Sequence, residues 1–474
     1  MRRKFIHDIS TNSLQLIINQ ACGFIIFYVL SVYFSKNDFG EINWSLAVLL
    51  TSFNILSFGI DQVAVKKIAA GQSTELILSI YITHVLLAGG FFYAILLLIN
   101  SFFPGFHSHN LLLFIGIGKL MIFFSTPFKQ LANGLEKFRL LLYMTVCSNI
   151  VRSISLILFS FFSKPDITSV IIIFIAGDTA ELLLSLFITK KILKIPLTVK
   201  PGKINYLNLL KESLPQAGVV IFTSAIGRFD WIFLGIISTE VILAEYSFAF
   251  KIFEVATLPL LIIAPILIPR LTRMFHDVSI KPTSKEINDL SVLLRFEMII
   301  ASLVALLINI LWIPVIDFIT HGKYGAVNKY TILILSVTMP FLYANNLLWT
   351  IAFAKGYLKK IFYIFLITFL INVIGDVILI PFYQGEGAAG AYFIAISVQF
   401  ILFWMQTDIT KLKKNTYSII LCPLLAFTSW IMAALLFKNI WAIVFMSVSF
   451  FFILLIFTRQ LLLTDRQILK RLIG

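Results

Sequence analysis

Charge is scarce in this chain of 474 residues: Asp, Glu, Lys and Arg make up only 13% of positions, against 59% hydrophobic. A soluble domain carries charge on about a quarter of its residues, so this composition excludes one. Cysteine is rare too. Cys22, Cys147 and Cys422 all lie in apolar runs, which excludes a disulfide framework. No glycine-rich loop ending in Lys-Ser/Thr occurs, which removes ATP as a direct fuel. A Gly-x-Ser-x-Gly elbow is missing, and no group of His, Cys and carboxylates has metal-ligand spacing. His107 and His109 share one loop, where a lone His-x-His is ordinarily a solvated turn, so neither a metal nor a cofactor is expected. Long connections are also lacking. The longest, 190–212 and 270–289, leave no room for the extramembrane segment that a membrane glycosyltransferase or polymerase needs.

What the chain has instead is fourteen apolar runs: 14–34, 40–60, 76–100, 111–131, 140–162, 167–189, 213–237, 244–268, 290–318, 330–354, 361–382, 387–410, 417–437 and 440–457. Each is near the roughly 20 residues that a helix needs to cross a bilayer. Only Lys438 and Asn439 separate the last two, and a twelve-span reading that demotes a tail hairpin is the alternative.

Basic residues set the orientation. The chain opens Met-Arg-Arg-Lys with no small-residue processing site after the first run, so that run is expected to stay as a helix. Of 38 lysines and arginines, 29 fall on the N-terminal side of the membrane, among them Lys66, Lys67, Lys129, Lys190 and Arg270. Five fall opposite: Lys36, Lys164, Lys323, Lys329 and Lys438. The excess of basic residues predicts that both termini are cytoplasmic. It also accounts for the net charge of +15 without nucleic acid, because the charge sits in short loops at the membrane edge.

The chain reads as a duplication. Asp38-Phe39-Gly40-Glu41-Ile42-Asn43-Trp44-Ser45-Leu46-Ala47 lies between runs one and two, and Leu243-Ala244-Glu245-Tyr246-Ser247-Phe248-Ala249 between runs seven and eight. Six runs separate the copies, so both keep one orientation, as in transporters built from parallel repeats. The Lys-rich connection 190–212, with Pro196, Pro201 and Gly202, is the expected linker. The predicted division is a six-helix lobe over 1–200, a second over 201–411, and a further hairpin with a cytoplasmic tail over 412–474.

Several stretches carry a resemblance. They are Leu214-Pro215, Gly227-Arg228-Phe229-Asp230-Trp231-Ile232-Phe233-Leu234-Gly235, and Ala244-Glu245-Tyr246-Ser247-Phe248-Ala249-Phe250-Lys251. Phe39-Gly40 with Phe58-Gly59-Ile60-Asp61 adds to them, as do Asn372, Leu379-Ile380-Pro381 and Gly385-Glu386-Gly387-Ala388-Ala389-Gly390-Ala391. In this order they resemble the polysaccharide transporter (O-antigen flippase) family of the multidrug/oligosaccharidyl-lipid/polysaccharide exporter superfamily. The resemblance implies an all-α polytopic membrane protein of about 14 (alternatively 12) helices, in two pseudo-symmetric six-helix lobes around a central cavity. It implies movement of an undecaprenyl-diphosphate-linked oligosaccharide across a bacterial inner membrane, with H⁺ or Na⁺ and polysaccharide polymerase machinery as further partners.

Charged groups inside the runs fit that cargo. Charge at bilayer depth costs several kcal/mol and ordinarily faces a cavity or a partner. Lys119, Arg152, Arg228 and Lys251 are the candidate diphosphate contacts, because guanidinium grips phosphate as a fork and lysine as a point charge. Asp178, Glu181, Asp230 and Glu254 are the candidate ion-coupling groups, and Asp376 is a further in-run acid. Plainer readings stand beside these. Lys251 and Glu254, three apart, can neutralise each other, and Asp178 and Glu181 crowd two negative charges unless a cation sits nearby. Pro259 and Pro265 interrupt the eighth run, either as hinges or as static kinks. A multidrug cation antiporter of the same superfamily is the rival function, and a membrane polymerase or acyltransferase a more distant one.

Overall fold

The structure, a computed structural model, describes residues 2–102, 109–197, 203–260, 284–407 and 417–462, with Leu271 and Asp465. His107, Lys200, Pro265, Arg270 and Lys281 lie outside the described residues. Among those described there is no strand, and eleven helices are long and apolar enough to cross a membrane. Only a helix or a closed barrel satisfies every backbone group in lipid, so long apolar runs of this kind fold as helices. Apolar side chains remain at the surface, with Phe162, Phe318 and Phe457 more than four-fifths exposed, as lipid-facing positions require.

The first seven helices are α1 (Arg2–Tyr33), α2 (Lys36–Leu56), α3 (Ile60–Ala69), α4 (Thr74–Phe102), α5 (Asn110–Gly134), α6 (Phe138–Phe162) and α7 (Ile167–Phe187). Then follow α8 (Lys203–Ile226), α9 (Phe229–Ile237), α10 (Glu240–Ala256), α11 (Ser284–Thr320), α12 (Lys329–Ala354), α13 (Leu358–Gln406), α14 (Tyr417–Leu436) and α15 (Ile440–Phe457). The fourteen runs are helical in their described parts, but the second, seventh, eighth, eleventh and twelfth are not simple, separate rods.

The second run breaks after α2, where Phe58 (φ 53°) and Gly59 (φ 69°) turn left-handed before α3 begins. Gly59 is required twice over, since a Cβ there would also lie 2.7 Å from the Ala217 nitrogen. The seventh run breaks at Gly227–Arg228 between α8 and α9. Runs eleven and twelve are two helices, numbered together as α13, that meet at a kink at Gln384 (φ 51°, ψ −125°). Small residues let its two halves close on each other: a Cβ on Gly375 would lie 2.8 Å from that of Ala391. In the eighth run α10 stops at Ala256 and Thr257 turns before helix resumes at 258–260; Pro259 has no N–H to bond the Val255 carbonyl one turn earlier.

Packing divides the chain into two compact units, Met1–Ala244 and Glu245–Gly474. In the first, α5 is central and packs on α2, α3, α4, α6 and α7, while α1 lies on α6. Helices α8 and α9 lie against α2 and α3, where Gly235 leaves the space that the Trp44 indole fills. In the second unit α12 packs between α11 and α13. The tail hairpin α14–α15 packs on α11, and Arg295 clamps the chain beyond it through two 2.7 Å hydrogen bonds to Asp465.

Candidate functional site

Three helices of the first unit bring charge to one buried place. Asp178 and Glu181 lie three residues apart on α7, one turn above the other on a single face. Ser148 and Arg152 share a face of α6, and α5 supplies Lys119, Ser125 and Lys129. Arg152 forms an ion pair with Asp178, and the Lys119 ammonium lies 3.5 Å from the other Asp178 oxygen. One turn along, Glu181 accepts from Lys129 at 2.7 Å, from Ser125 at 3.3 Å and from Ser148. The Phe174 ring lies beside both inner cations, 5.1 Å from the Arg152 guanidinium carbon and 5.7 Å from the Lys119 nitrogen. Lys119, Arg152, Asp178 and Glu181 are all no more than 6% exposed, while Lys129, at the other end of the network, is only partly buried.

Two glycines make the approach possible. A Cβ on Gly118 would lie 2.7 Å from an Asp178 oxygen, and one on Gly177 would lie 2.8 Å from the Arg152 Cγ. The two acids that looked crowded in sequence are thus relieved by three cations, an excess of one positive charge. Lys129 is the partner that sequence reasoning missed. It lies at the end of the run 111–131 and counts among the basic residues that set orientation, but α5 continues to Gly134 and keeps it within the helix, with its ammonium reaching Glu181.

The other candidates lie elsewhere. Arg228, at the break before α9, holds its guanidinium 4.5 Å from the Trp231 ring and donates to the Gly227 carbonyl at 3.0 Å. Asp230 is buried and accepts from the Trp231 backbone N–H at 2.8 Å. Lys251 and Glu254 belong to the second unit and pair with each other at 2.9 Å, the neutralising arrangement that their spacing allows. Asp376 is buried and accepts from Asn372, one turn earlier, at 2.9 Å. His109 packs on Trp44 with ring centroids 4.5 Å apart.

Polar groups beyond the charged set also emerged. The broken second run frees the Leu56 carbonyl, which accepts from His84 Nε2 at 2.8 Å, while Nδ1 faces the Tyr206 hydroxyl at 3.1 Å. Just past the α2 span, Tyr81 donates to Asp61, whose carboxyl is pushed up to about 6 by burial, against the pull of Ser57 and the Lys129 charge. In the second unit the Asn345 amide donates to Gln399 at 2.9 Å and to the Ile396 carbonyl at 3.0 Å. Glu297 of α11 is fully buried and stands outside the set of acids chosen from sequence.

A sequence model described as polysaccharide biosynthesis protein matches residues 5–275. No protein of curated function matches the sequence. Solved structures do match in fold. One is the lipid II flippase MurJ in an inward closed conformation, at 16% identity over 94% of this chain and 98% of that one, with a TM-score of 0.71. A multidrug resistance MATE family transporter of the MOP superfamily, facing inward, is 13% identical over 84% of this chain and 98% of its own, with a TM-score of 0.65. A MOP superfamily transporter from Pyrococcus furiosus, whose binding pocket is described as reversed in polarity, is 14% identical over 86% and 96%, with a TM-score of 0.55. The architecture is therefore that of MOP superfamily transporters and flippases: an all-α polytopic membrane fold. On that architecture, the match over more than half its length places the chain in the polysaccharide biosynthesis protein family.

Proposed function

We propose that this protein is a flippase that carries an undecaprenyl-diphosphate-linked oligosaccharide from the cytoplasmic to the periplasmic leaflet of a bacterial inner membrane, by alternating access. The observation that carries this reading is membership of a polysaccharide biosynthesis family on a fold that a lipid II flippase shares. On this reading both termini are cytoplasmic, the lobes are 1–200 and 201–411, and the protein is a transporter rather than an enzyme. O-antigen or a related lipopolysaccharide repeat unit is the cargo class.

The buried network gives the reading a mechanism. Two carboxylates already occupy Lys119, Lys129 and Arg152. A diphosphate competes for the same cations, and protonation of Asp178 or Glu181 releases them. Anion capture and uptake of H⁺ are then linked through one set of charges, in line with the roles assigned to Arg152, Lys119, Asp178 and Glu181. Arg228 and Lys251 serve as further anion contacts, and Asp230 and Glu254 as their acidic counterparts. A cation antiporter calls for surplus acid, whereas the network holds surplus base.

The test is replacement. The chain is expressed in strains that each lack a flippase for a different undecaprenyl-linked repeat unit, and surface polysaccharide is measured. Restoration in one of them is the expected result. Drug resistance gained without any restoration overturns the reading in favour of the antiporter.

A further inference from the structure

Glu297 is in an unusual position for an acid. It lies well inside the α11 span, is fully buried, and among the described residues neither carboxylate oxygen meets a hydrogen-bond donor or a cation. Its nearest basic neighbour in sequence, Arg295, is committed to Asp465.

The helix that faces Glu297 supplies polar groups without partners of their own. Helices α11 and α12 run antiparallel, with the Asn309 amide of one donating to the Ser336 hydroxyl of the other at 2.6 Å. Followed along both helices, that register brings Glu297 level with residue 348, with Asn346 two residues and Tyr343 five residues before it on α12. There the Tyr343 hydroxyl and the Asn346 amide nitrogen are buried without a hydrogen-bond partner, as is the Ser302 hydroxyl on α11. Glu297 and Tyr343 are within electrostatic reach of each other. The other helices on α11 bring little charge: α14 contributes Tyr417 and Cys422 as its titratable groups, and α15 has none.

An ionised carboxylate in such a place has lost water and gained nothing in exchange, whereas a carboxylic acid is a neutral donor that suits unpaired hydroxyl and amide neighbours. A bound cation removes the penalty, and a proton needs no coordination shell. We propose that Glu297, with Tyr343 and Asn346 beside it, is a proton-binding site inside the second unit, separate from the Asp178–Glu181 network. The site takes H⁺ rather than Na⁺, because the unpartnered Asn346 amide nitrogen is a donor that cannot ligate a cation, whereas a proton on Glu297 needs no set of oxygen ligands. As a coupling site it rests on the flippase reading; as a proton site it does not.

The experiment separates the two. Infrared spectra of the purified full chain in lipid vesicles report the C=O stretch of a protonated carboxyl. The wild type should show such a band at neutral pH, lost in Glu297→Gln and kept in Glu254→Gln. Glu297→Asp, which preserves the carboxyl if the glutamine variant fails to fold, should shift the band, and Tyr343→Phe should shift it by deleting one hydroxyl. Spectra of folded Glu297→Gln and wild type with the same protonated-carboxyl bands overturn the proposal. So does removal of the band by added Na⁺ at constant pH, which makes this a sodium site. In vesicles loaded with lipid-diphosphate oligosaccharide, Glu297→Gln should lose its response to a pH gradient. If the wild type itself moves no cargo, the flippase reading fails while the spectra still decide the proton site.

Discussion

Arg152 and Asp178 meet across the α6–α7 contact as an ion pair whose carboxylate is wholly buried, with the Lys119 ammonium 3.5 Å from the second carboxylate oxygen. A pair sealed in this way is costly to break from one side, because the charge left behind has no water to return to. Arg152→Ala leaves Asp178 with Lys119 alone and should destabilise the protein by up to about 3–5 kcal/mol, and Arg152→Met with Asp178→Leu and Lys119→Met, which leaves no member of the cluster unpaired, should restore much of that loss. Size-exclusion profiles of the detergent-solubilised variants measure the recovery. Transport should not recover with stability if the pair acts on cargo. A triple variant that is both stable and fully active removes these charges from the mechanism.

Gly177 tests the geometry of the same pair without touching its charges. A Cβ at this position would lie 2.8 Å from the Arg152 Cγ and 3.0 Å from the Ser148 carbonyl. Gly177→Ala should cost about 1–3 kcal/mol through overpacking. Gly90 is the control: nothing lies within 4 Å of its Cβ position, so Gly90→Ala should be neutral or slightly stabilising. Thermal unfolding of the two variants, read side by side, distinguishes a packing requirement from a general dislike of alanine in these helices.

Hydropathy alone made the membrane class, the helical class and the runs legible, because a spanning helix writes itself as uninterrupted apolar residues. It did not reveal how runs join. The reversal at Gln384 falls in the polar gap 383–386 between runs eleven and twelve, but the gap does not show that the two helices meet without a further loop, and the break at Phe58–Gly59 falls inside one apolar stretch. The charged network was half legible. Lys119, Arg152, Asp178 and Glu181 stand out as charges in apolar surroundings, but which of them pair depends on how α5, α6 and α7 pack. Lys129 was hidden by lying near a helix end, where it counts towards orientation. Glu297 carried the same signal as the other acids, a lone carboxylate within an apolar run, and no motif surrounds it.

Asp61 gives a pH signature. Burial pushes its carboxyl up to about 6, above the ordinary carboxylate range, so the folded protein favours the protonated form more than the unfolded chain does. That contribution is fully present at low pH and is lost as pH rises through about 6. Asp61→Asn, which cannot ionise, should thus gain thermal stability relative to wild type as pH is raised from mildly acidic to mildly alkaline. The difference should reach about 2 kcal/mol. Melting curves across that range that stay parallel for the two proteins would refute the assignment.

Arg228 separates binding from scaffolding. Its guanidinium lies over the Trp231 ring, 4.5 Å from the centroid, at the break between α8 and α9. If it contacts the diphosphate, Arg228→Lys keeps the charge but loses both the planar fork and the ring stacking. A charge-assisted hydrogen bond is worth about 1.5–3 kcal/mol, so apparent affinity for cargo should fall by roughly tenfold or more while some transport survives. Arg228→Ala should abolish surface polysaccharide in the replacement strain while the protein still accumulates in the membrane. If Arg228 only steadies the break, the two variants reverse their signatures. The alanine form then falls in abundance, and whatever folds transports normally for each molecule present. Immunoblot abundance set against polysaccharide output, measured in the same cells, decides between them.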